Sequence, residues 1–590
     1  MSGTWRRRKV AQWALAYAAA AWLLLQVLSL LSGTYGWPGG VMRIAVGTSL
    51  VGFAVVFVVA WFHGERGAQK VSGTEVALLG AVIGIGTALL WVTEAHRPAD
   101  VGREPAATAA TAEVAERGNA IAVLPFRNLS TGKDDEYFAD GIAEELLDRL
   151  TNLPQLKVAG RTSSFAFKGR DVDTRRIAEQ LGVAYLLEGS VRRAGERVRV
   201  TVQLVRADTG LNVWSETYDR ALTDIFAVQD EISTAIAAAL QLSLQGPAAG
   251  VPQAPRIPLD AYDAYLRGRA LMATRSVVDL EASRTEFAKV LAIVPDYAPA
   301  LTSLARVNLL IPMWSQTSGE RTHALVAEAE QLARRALDAG TDNANAHAVL
   351  GTIRGSYQWR WTEAEAEFDR AIALAPGNAD ILNFAGDLYR SLLDRQRAYA
   401  AEGRAADLDP LGVYNQDDLA YLDMAFGRYE DAISHARNTL AIDPSLYDPY
   451  LVMAWSYGEL RQLGAMRETV ADARGRSQAE EPQLLLLDAW LATAEGRRED
   501  AVRLLDELSR QAERAGYSSA LLGYAYLRLG ESDRAARWLE RAYDTRDPQL
   551  VYQEPVRLEE IARNPVTAPL LERDGLRQLI EIRRRNGTFH

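Results

Sequence analysis

A repeat of fixed period constrains the fold of this chain more than any other feature. Three prolines, Pro376, Pro410 and Pro444, lie 34 residues apart. Proline cannot continue a helix, because it lacks a backbone N–H and its ring clashes with the preceding turn. Prolines at this regular spacing therefore mark the ends of successive helical units of equal length. Such a period predicts helix pairs that stack into a solenoid.

Small and aromatic residues recur at matching places within these units. Residues 521–542 read LLGYAYLRLGESDRAARWLERA, with glycine, tyrosine and alanine spaced along two successive helices. Small residues let the two helices approach closely, and aromatic residues fill the gap to the next pair. Over residues 258–590 this pattern resembles tetratricopeptide repeats, about seven or eight of them, with a capping helix at Leu570–Arg585. The resemblance implies an all-α superhelical array.

A tetratricopeptide array implies a concave groove that holds an extended or helical peptide of a partner protein. By their position in the repeat, six residues are expected to face it: Asn383, Asp387, Arg390, Asp417, Tyr421 and Trp455. Asparagine and arginine would bind a peptide backbone or carboxylate, and tyrosine and tryptophan would anchor apolar groups. The alternative is that these are ordinary surface residues or contacts between neighbouring repeats.

Residues 119–245 have a different pattern, in which short apolar runs alternate with amphipathic helices. A buried strand is predicted at Ala120–Phe126 and an amphipathic helix at Asp135–Pro154. A strand and loop at Leu156–Gly169 and a helix at Thr174–Gly182 follow. Three alternating strands joined by tight turns come next, and a helix at Thr223–Leu244 ends the region. The order β-α-β-α-β-β-β-α predicts a mixed sheet with helices packed on it.

Several motifs of this middle region carry a second resemblance. They read IAVLPFRNLS, DEYFADGIAEELLDRL, GRTSSFAFKG, YLLEGSVRR and VQLVRADTGLNVWSETYDR, and they cover nearly all of residues 119–244. Together they resemble a domain related to the N-terminal domain of TolB and to FlgO, which occurs in bacterial membrane proteins, usually before tetratricopeptide repeats. The resemblance implies interactions in the cell envelope and no catalytic activity.

Three apolar segments open the chain: Val10–Leu31, Ile44–Trp61 and Val76–Thr93. Each is close to the roughly 20 residues that span the hydrocarbon core of a bilayer, and none contains a charged side chain. They predict a three-helix transmembrane region over residues 10–95, with the lipid bilayer as a partner. Gly80 and Gly84 form a GxxxG pair, which suggests a homodimer contact between such helices.

Basic residues set the predicted orientation of these helices. Arg6–Lys9 precede the first helix, Arg66 and Lys70 lie between the second and third, and the loop Gly33–Gly40 has no basic residue. Because basic loops stay in the cytoplasm, residues 1–9 are expected there, and the chain after about residue 95 is expected in the periplasm. This makes the chain a multi-pass bacterial inner-membrane protein. Linkers are predicted at 96–118 and 246–257, where little apolar surface is available for burial.

Composition argues against several kinds of chemistry. The net charge of −11 argues against general nucleic-acid binding, which needs a basic face. The chain has no cysteine, which excludes disulfides, zinc–thiolate sites and cysteine nucleophiles. Its six histidines lack metal-ligand spacing, and no HExxH, GxSxG or Walker motif is present. The sequence therefore predicts a protein that is not an enzyme, with no catalytic residue, metal site or cofactor.

Two polar clusters of the middle region suggest weaker hypotheses. One is acidic and would hold a hard cation, although an acidic helix N-terminus with a solvated face is the simpler and favoured explanation. Its members are Asp134, Asp135, Glu136, Asp140, Glu144 and Glu145. The other would bind an anion in a loop beyond a strand end, but it has no glycine-rich phosphate loop. Its members are Thr162, Ser163, Ser164 and Lys168.

The architecture predicts a membrane-anchored scaffold that binds a partner protein or peptide of the cell envelope in its repeat groove. Related proteins often carry a DNA-binding or nucleotide cyclase domain ahead of the membrane. Only nine residues precede the first predicted helix here, which argues against transcriptional control or cyclase activity. The alternative function is a ligand sensor or signal-transduction component that uses the α/β domain.

Overall fold

The computed structural model describes residues 118–587, with gaps at 131, 133–134, 152, 154, 171, 241–256, 316–318, 340–342, 478–480, 516 and 552–554. All of these residues belong to one unit, Glu113–His590. An α/β domain comes first, and an all-helical array follows from Leu259 onward.

A mixed sheet of six strands forms the centre of the α/β domain. Its strands are β1 (Ala120–Val123), β2 (Arg127–Asn128), β3 (Lys157–Val158), β4 (Tyr185–Ala194), β5 (Arg197–Arg206) and β6 (Leu211–Ala221). Their order is β3–β1–β4–β5–β6, and β2 also pairs with β4. Strand β1 is parallel to β3 and β4, whereas β4, β5 and β6 form an antiparallel meander. The predicted mixed sheet is therefore confirmed.

Helices cover both faces of this sheet. They are α1 (Glu136–Thr151), α2 (Arg161–Phe165), α3 (Thr174–Leu181) and α4 (Ile225–Ala239). Helices α1 and α4 pack on the face that presents Val198, Val200 and Val202, and α3 packs on the other face beside Leu186. The short helix α2 replaces part of the loop predicted over Leu156–Gly169. Its first turn is held by a carboxylate from the distant helical array, a contact that the local sequence does not reveal.

The helical array consists of eight helix pairs in the part of the chain that the structure describes. The pairs are α5/α6 (Leu259–Thr274, Val277–Ile293), α7/α8 (Ala298–Trp314, Glu320–Asp338), α9/α10 (Ala344–Thr352, Trp361–Leu374), α11/α12 (Ala379–Ser391, Arg395–Leu408), α13/α14 (Val413–Ala425, Tyr429–Ile442), α15/α16 (Asp448–Glu459, Leu463–Arg476), α17/α18 (Glu481–Ala494, Arg498–Ala515) and α19/α20 (Ser519–Leu529, Ser532–Asp544). Helices α21 (Pro555–Arg563) and α22 (Leu576–Arg585) follow. The prolines of the 34-residue period stand just after α10, α12 and α14, as a helix-ending proline should.

Close packing within several pairs depends on a glycine in the first helix. A Cβ at these glycines would lie 2.6–2.8 Å from a large side chain of the second helix, which is closer than carbon atoms can approach. The contacts join Gly268 with Phe287, Gly351 with Phe368, and Gly523 with Leu539. An apolar side chain from the second helix thus fills the space that the missing Cβ leaves.

The first helices of the pairs lie on the inner side of the array. From α9 to α19, the first helices of consecutive pairs pack directly against each other, whereas second helices contact mainly the first helices of their own and the next pair. A stack whose units are closer on one side curves toward that side, so the first helices line a concave face.

The curvature brings the C-terminal end back onto the third and fourth pairs. The Trp361 indole donates to the Gly575 carbonyl at 2.8 Å, and the buried Arg583 Nε donates to the Ser391 carbonyl at 2.8 Å. Asn586 Nδ2 donates to the Leu392 carbonyl at 2.9 Å. The C-terminal helix α22 therefore joins two regions nearly 200 residues apart in the sequence, in addition to ending the array.

The predicted fold class needs one correction, which concerns the membrane. Among the described residues, no helix is both long and apolar enough to cross a bilayer. The apolar helix α7 has only 17 residues, and the longer helices α18 and α8 contain charges such as Arg503 and Glu328. The three segments predicted to cross the membrane, with Gly80 and Gly84, lie outside the described residues. We therefore correct the fold class to an α/β domain followed by a helical repeat array, and we withdraw the multi-pass inner-membrane localisation and the bilayer as a partner.

Candidate interaction site

Three consecutive inner helices, α11, α13 and α15, carry the six residues predicted to line the groove. Asp387, Tyr421 and Trp455 are 34 residues apart and occupy the same position on the three helices. Asn383 and Asp417 are likewise equivalent on α11 and α13. The repeat period therefore brings these side chains into rows that run across the inner face.

Most of the predicted residues meet in one polar network. Asn383 Nδ2 donates to Asp418 Oδ2 at 2.7 Å. Arg390 forms an ion pair with Asp387, lies 3.8 Å from Asp418 Oδ1, and stands over the Tyr421 ring at 5.4 Å. Because α11 supplies the cation and α13 supplies the carboxylate and the ring, the network links the two neighbouring inner helices.

A second contact extends this network to α15. The Tyr421 hydroxyl donates to Asp448 Oδ1 at 3.2 Å. Trp455 makes further contacts of its own: its ring lies 3.6 Å beneath the Arg528 guanidinium and 5.0 Å from the ring of Trp490. The structure thus places Trp455 at the contact with the later pairs.

Burial distinguishes these side chains from freely exposed groove residues. Asp387, Arg390, Asp417, Tyr421 and Trp455 are each at most 7% exposed, and Asn383 is half-buried. They pack between neighbouring inner helices, which agrees with the alternative that they are contacts between repeats. Their role in binding a partner stays a prediction.

A more accessible rim borders the network. Asp380 is 48% exposed, forms a 2.7 Å ion pair with Arg306, and lies 3.8 Å from Arg275. Burial by the surrounding protein raises its pKa, but the two guanidiniums outweigh this and hold the pKa below its ordinary value. Arg275 stands over the rings of Tyr414 at 4.6 Å and Trp314 at 5.1 Å. The rim therefore offers both charge and aromatic surface.

The network contains more carboxyls than the sequence analysis identified. Glu402, Asp418 and Asp448 join the predicted Asp387 and Asp417, and we call these five residues the inner acidic cluster. Register could have revealed them: Glu402 lies 34 residues after Phe368, Asp418 lies 34 after Phe384, and Asp448 lies 68 after Asp380. The small and aromatic positions that define the repeat do not by themselves reveal these carboxyls.

Burial and mutual repulsion shift the titration of the inner acidic cluster. Burial raises the pKa of Glu402 and of Asp417 well above the ordinary values, and neighbouring carboxylates add to both shifts. Burial also raises the pKa of Asp418. The pKa of Asp448 rises to about 6, because burial and Asp418 outweigh the hydrogen bond from Tyr421. These directions are expected where several carboxyls share one desolvated place.

Glu402 occupies an unusual position for a carboxyl. It packs against Gly386, at the place where Phe287, Phe368 and Leu539 pack against glycines in other pairs. It is 1% exposed, and neither carboxyl oxygen has a hydrogen-bond partner among the described residues. A buried carboxyl without a partner is unfavourable. The helix pair α11/α12 is therefore less stable than it would be with an apolar residue at position 402.

We expect Glu402→Leu to stabilise the chain by about 1–3 kcal/mol near neutral pH, because it replaces a buried carboxyl with an apolar side chain of similar size. The folded-state pKa of Glu402 is raised, so its favourable contribution is complete below the ordinary value of 4.5 and is lost as pH rises toward the raised pKa. The advantage of the variant should therefore grow with pH. Urea unfolding of both proteins at about pH 4.5 and about pH 8 measures it. An advantage that shrinks with rising pH would contradict the assignment.

The α/β domain docks onto the array at the turn between α12 and α13. The Asp409 carboxylate accepts from the Ser163 backbone N–H at 2.6 Å, and Ser163 Oγ accepts from the Leu411 N–H at 2.7 Å. The Gly160 N–H donates to the Leu408 carbonyl at 2.6 Å. The loop predicted to bind an anion through Thr162, Ser163, Ser164 and Lys168 therefore holds a carboxylate of the same chain. We call the hydrogen bonds that join residues 160–163 to residues 408–411 the docking turn.

Ion pairs also account for the acidic cluster on α1. Glu144 and Glu145 pair with Arg269 of α5 at 3.1 and 2.8 Å, and Asp140 pairs with Lys168 at 2.5 Å. Asp134 lies outside the described residues. No group of three potential metal ligands occurs in the part of the chain that the structure describes, so the hard-cation hypothesis gains no support.

Fold and site together define an α/β domain followed by a helical-repeat array, which has eight helix pairs in the part of the chain that the structure describes. For the α/β domain, residues 117–235 match a family described as the HilA/YgeH-like transcriptional regulator, second domain. The resemblance of this domain to TolB and FlgO stays a prediction, since the matching family is a different one.

One curated relative is a Rhizobium meliloti (strain 1021) protein provisionally named adenylate cyclase 3. It is 38% identical over 249 residues, which are 42% of this chain and 41% of the relative. The chain thus spans about two fifths of that relative's length.

Solved structures resemble the repeat array at low identity. Pseudomonas aeruginosa PilF is 20% identical over 36% of this chain and 91% of its own, with a TM-score of 0.29. A tetratricopeptide repeat protein from Parabacteroides merdae is 14% identical over 46% of this chain and 100% of its own, with a TM-score of 0.34. At these scores, the repeat assignment rests on the helix pairs of this chain.

Proposed function

We propose that this protein is a non-enzymatic scaffold that binds a partner protein or peptide at the inner face of its repeat array. The observation that carries the proposal is the continuous inner surface of α11, α13 and α15, where a polar network is bordered by a partly exposed rim. A concave face of this kind presents side chains from several helices to one extended or helical segment.

The rim supplies the groups that such a segment would contact first. Asn383 is half-buried, Asp380 is half-exposed, and Arg306 is about one fifth exposed, at 21% of its side chain. Tyr414 and Phe384 are also partly exposed beside them. Polar groups that fix orientation, next to aromatic surface that adds affinity, are typical of protein-binding surfaces.

The α/β domain adds a second surface on the same body. The docking turn and the ion pairs of Arg269 with α1 hold it against the repeats. A sensor function, in which the α/β domain binds a small ligand, is less supported, because its polar loop already holds Asp409. Its surface would instead add contacts to a partner bound at the inner face.

The proposal predicts that rim substitutions remove partner binding without unfolding the chain. The double variant Asn383→Ala with Arg306→Ala, which we call the rim variant, changes a half-buried network side chain on α11 and a rim side chain on α7. Crosslinking in intact cells, followed by purification of the full-length chain and mass spectrometry, should recover a partner with the wild type. We expect at least a tenfold loss of that partner with the double variant, since two lost contacts of about 1 kcal/mol each exceed the roughly 1.4 kcal/mol that corresponds to a factor of ten.

A matched control is Glu499→Ala with Arg503→Ala, which removes one acid and one base from the outer helix α18. It should recover the partner as well as the wild type does, and circular dichroism should show equal helix content in all three proteins. Equal recovery by the rim variant would contradict binding at the inner face. Loss with the outer-helix control alone would place the interface on the convex side.

A further inference from the structure

In the part of the chain that the structure describes, the inner acidic cluster contains more carboxyl groups than basic side chains that pair with them. Arg275 and Arg306 lie beside Asp380, and Arg390 lies beside Asp387 and Asp418. Within the described ranges, Glu402, Asp417 and Asp448 have no basic side chain at ion-pair distance. An excess of buried carboxyls is costly, because each ionised group loses its hydration without gaining a counter-charge.

Two of these carboxyls also lack hydrogen-bond partners. Both oxygens of Glu402 and one oxygen of Asp417 are buried and unpaired in the described part of the chain, and the residues are 1% and 7% exposed. Glu402 stands where other pairs have phenylalanine or leucine. A carboxyl in place of an apolar side chain, at a cost in stability, indicates a function that requires an acidic group at this position.

The cluster is reachable from the rim. The Asp418 side chain is 19% exposed, and Asp448 on the next inner helix is half-buried. The partly exposed ring of Tyr414 stands on α13, the helix of Asp418, and the partly exposed ring of Phe384 stands on the neighbouring inner helix α11. A long aliphatic side chain with a positive end could pack its methylene groups against such rings while its charge reaches the carboxylates.

We propose that the inner acidic cluster receives a lysine or arginine side chain of the partner segment, whose cation pairs with Asp418 and Asp448. This inference rests on the proposed function, since it names the chemistry of the segment that the inner face binds. The arriving cation supplies the counter-charge that Arg390 alone does not provide for five carboxyls. An acidic segment would meet like charge here, which disfavours binding strongly in a desolvated site.

The test selects peptides on the full-length chain from a phage-displayed library of random linear peptides. Inner-face binders are those whose retention changes when Asn383→Ala with Arg306→Ala replaces the wild type. We expect lysine and arginine to be enriched among them. For a synthetic copy of an enriched peptide, replacing that basic residue with norleucine should weaken binding at least tenfold by calorimetry. Asp418→Asn with Asp448→Asn in the chain should weaken binding of the unchanged peptide to the same extent. For that variant chain, the norleucine peptide should bind as well as the unchanged peptide.

The matched control is Asp431→Asn with Asp500→Asn, the same charge change on the outer helices α14 and α18, and it should leave binding unchanged. The Asp→Asn changes keep side-chain size, and thermal unfolding checks that each variant is folded. Inner-face binders without basic residues would overturn this inference and leave the scaffold proposal standing. If every selected peptide is indifferent to the rim substitutions, both proposals are overturned.

Discussion

Replacing Arg390 with methionine should lower the free energy of unfolding by about 3–5 kcal/mol, the usual cost of removing one partner from a buried ion pair. Arg390 is 1% exposed and is the cation that lies beside Asp387 and Asp418. Methionine fills similar space but leaves those carboxylates buried without their cation. It also removes the cation–π contact with Tyr421. Urea unfolding followed by circular dichroism measures the loss.

Two further variants make this result specific. Arg503, on the outer helix α18, has a side chain that is 71% exposed and pairs with Asp500 at 3.1 Å. Arg503→Met should change stability by no more than about 0.5 kcal/mol, since exposed ion pairs contribute little. Adding Glu402→Leu to Arg390→Met should restore part of the loss, because one buried carboxyl is then gone. A loss for Arg390→Met no larger than that of the exposed control would show that Arg390 does not neutralise the cluster.

Gly160→Val should detach the α/β domain from the repeats and lower the free energy of unfolding by about 2–4 kcal/mol, through a steric clash and lost buried hydrogen bonds. A Cβ at Gly160 would lie 2.5 Å from the Asp409 side chain. The Gly160 backbone has φ −60° and ψ 156°, a conformation open to valine, so the effect arises from contact and not from backbone strain. The Gly160–Leu408 and Ser163–Asp409 hydrogen bonds would be lost together.

Detachment has a signature beyond stability. The wild-type chain should unfold its α/β domain and repeats in a single transition, whereas the variant should show two transitions and faster proteolysis near the docking turn. Gly403→Ala is the matched control, because nothing lies within 4 Å of its added Cβ. It lies inside helix α12, so alanine should stabilise the chain by about 0.5–1 kcal/mol. One cooperative transition in Gly160→Val would show that the docking turn does not couple the two parts.

The local sequence determined most elements of the described region and their order, although it missed the short helix α2. Prolines at a 34-residue spacing set where the second helices end, because proline cannot occupy a helix interior. Alternating and helical periodicity in residues 119–245 likewise determined a mixed sheet with helices on it, since each pattern gives one element an apolar face to bury. Period alone also placed Asp387, Tyr421 and Trp455 at equivalent positions on successive helices.

Tertiary structure decided what these positions contact. Only folding shows that Asp409 caps α2, about 250 residues before it, and that Arg583 reaches Ser391. Trp455 shares the period of Tyr421 but packs with Arg528, because the environment of each inner helix depends on the neighbouring pair. The sequence also did not reveal that Glu402 and Asp417 are buried. A repeat period fixes the angular position of a residue on its helix, but not which residues surround it. The candidate site therefore depends on long-range packing, which local sequence patterns do not encode.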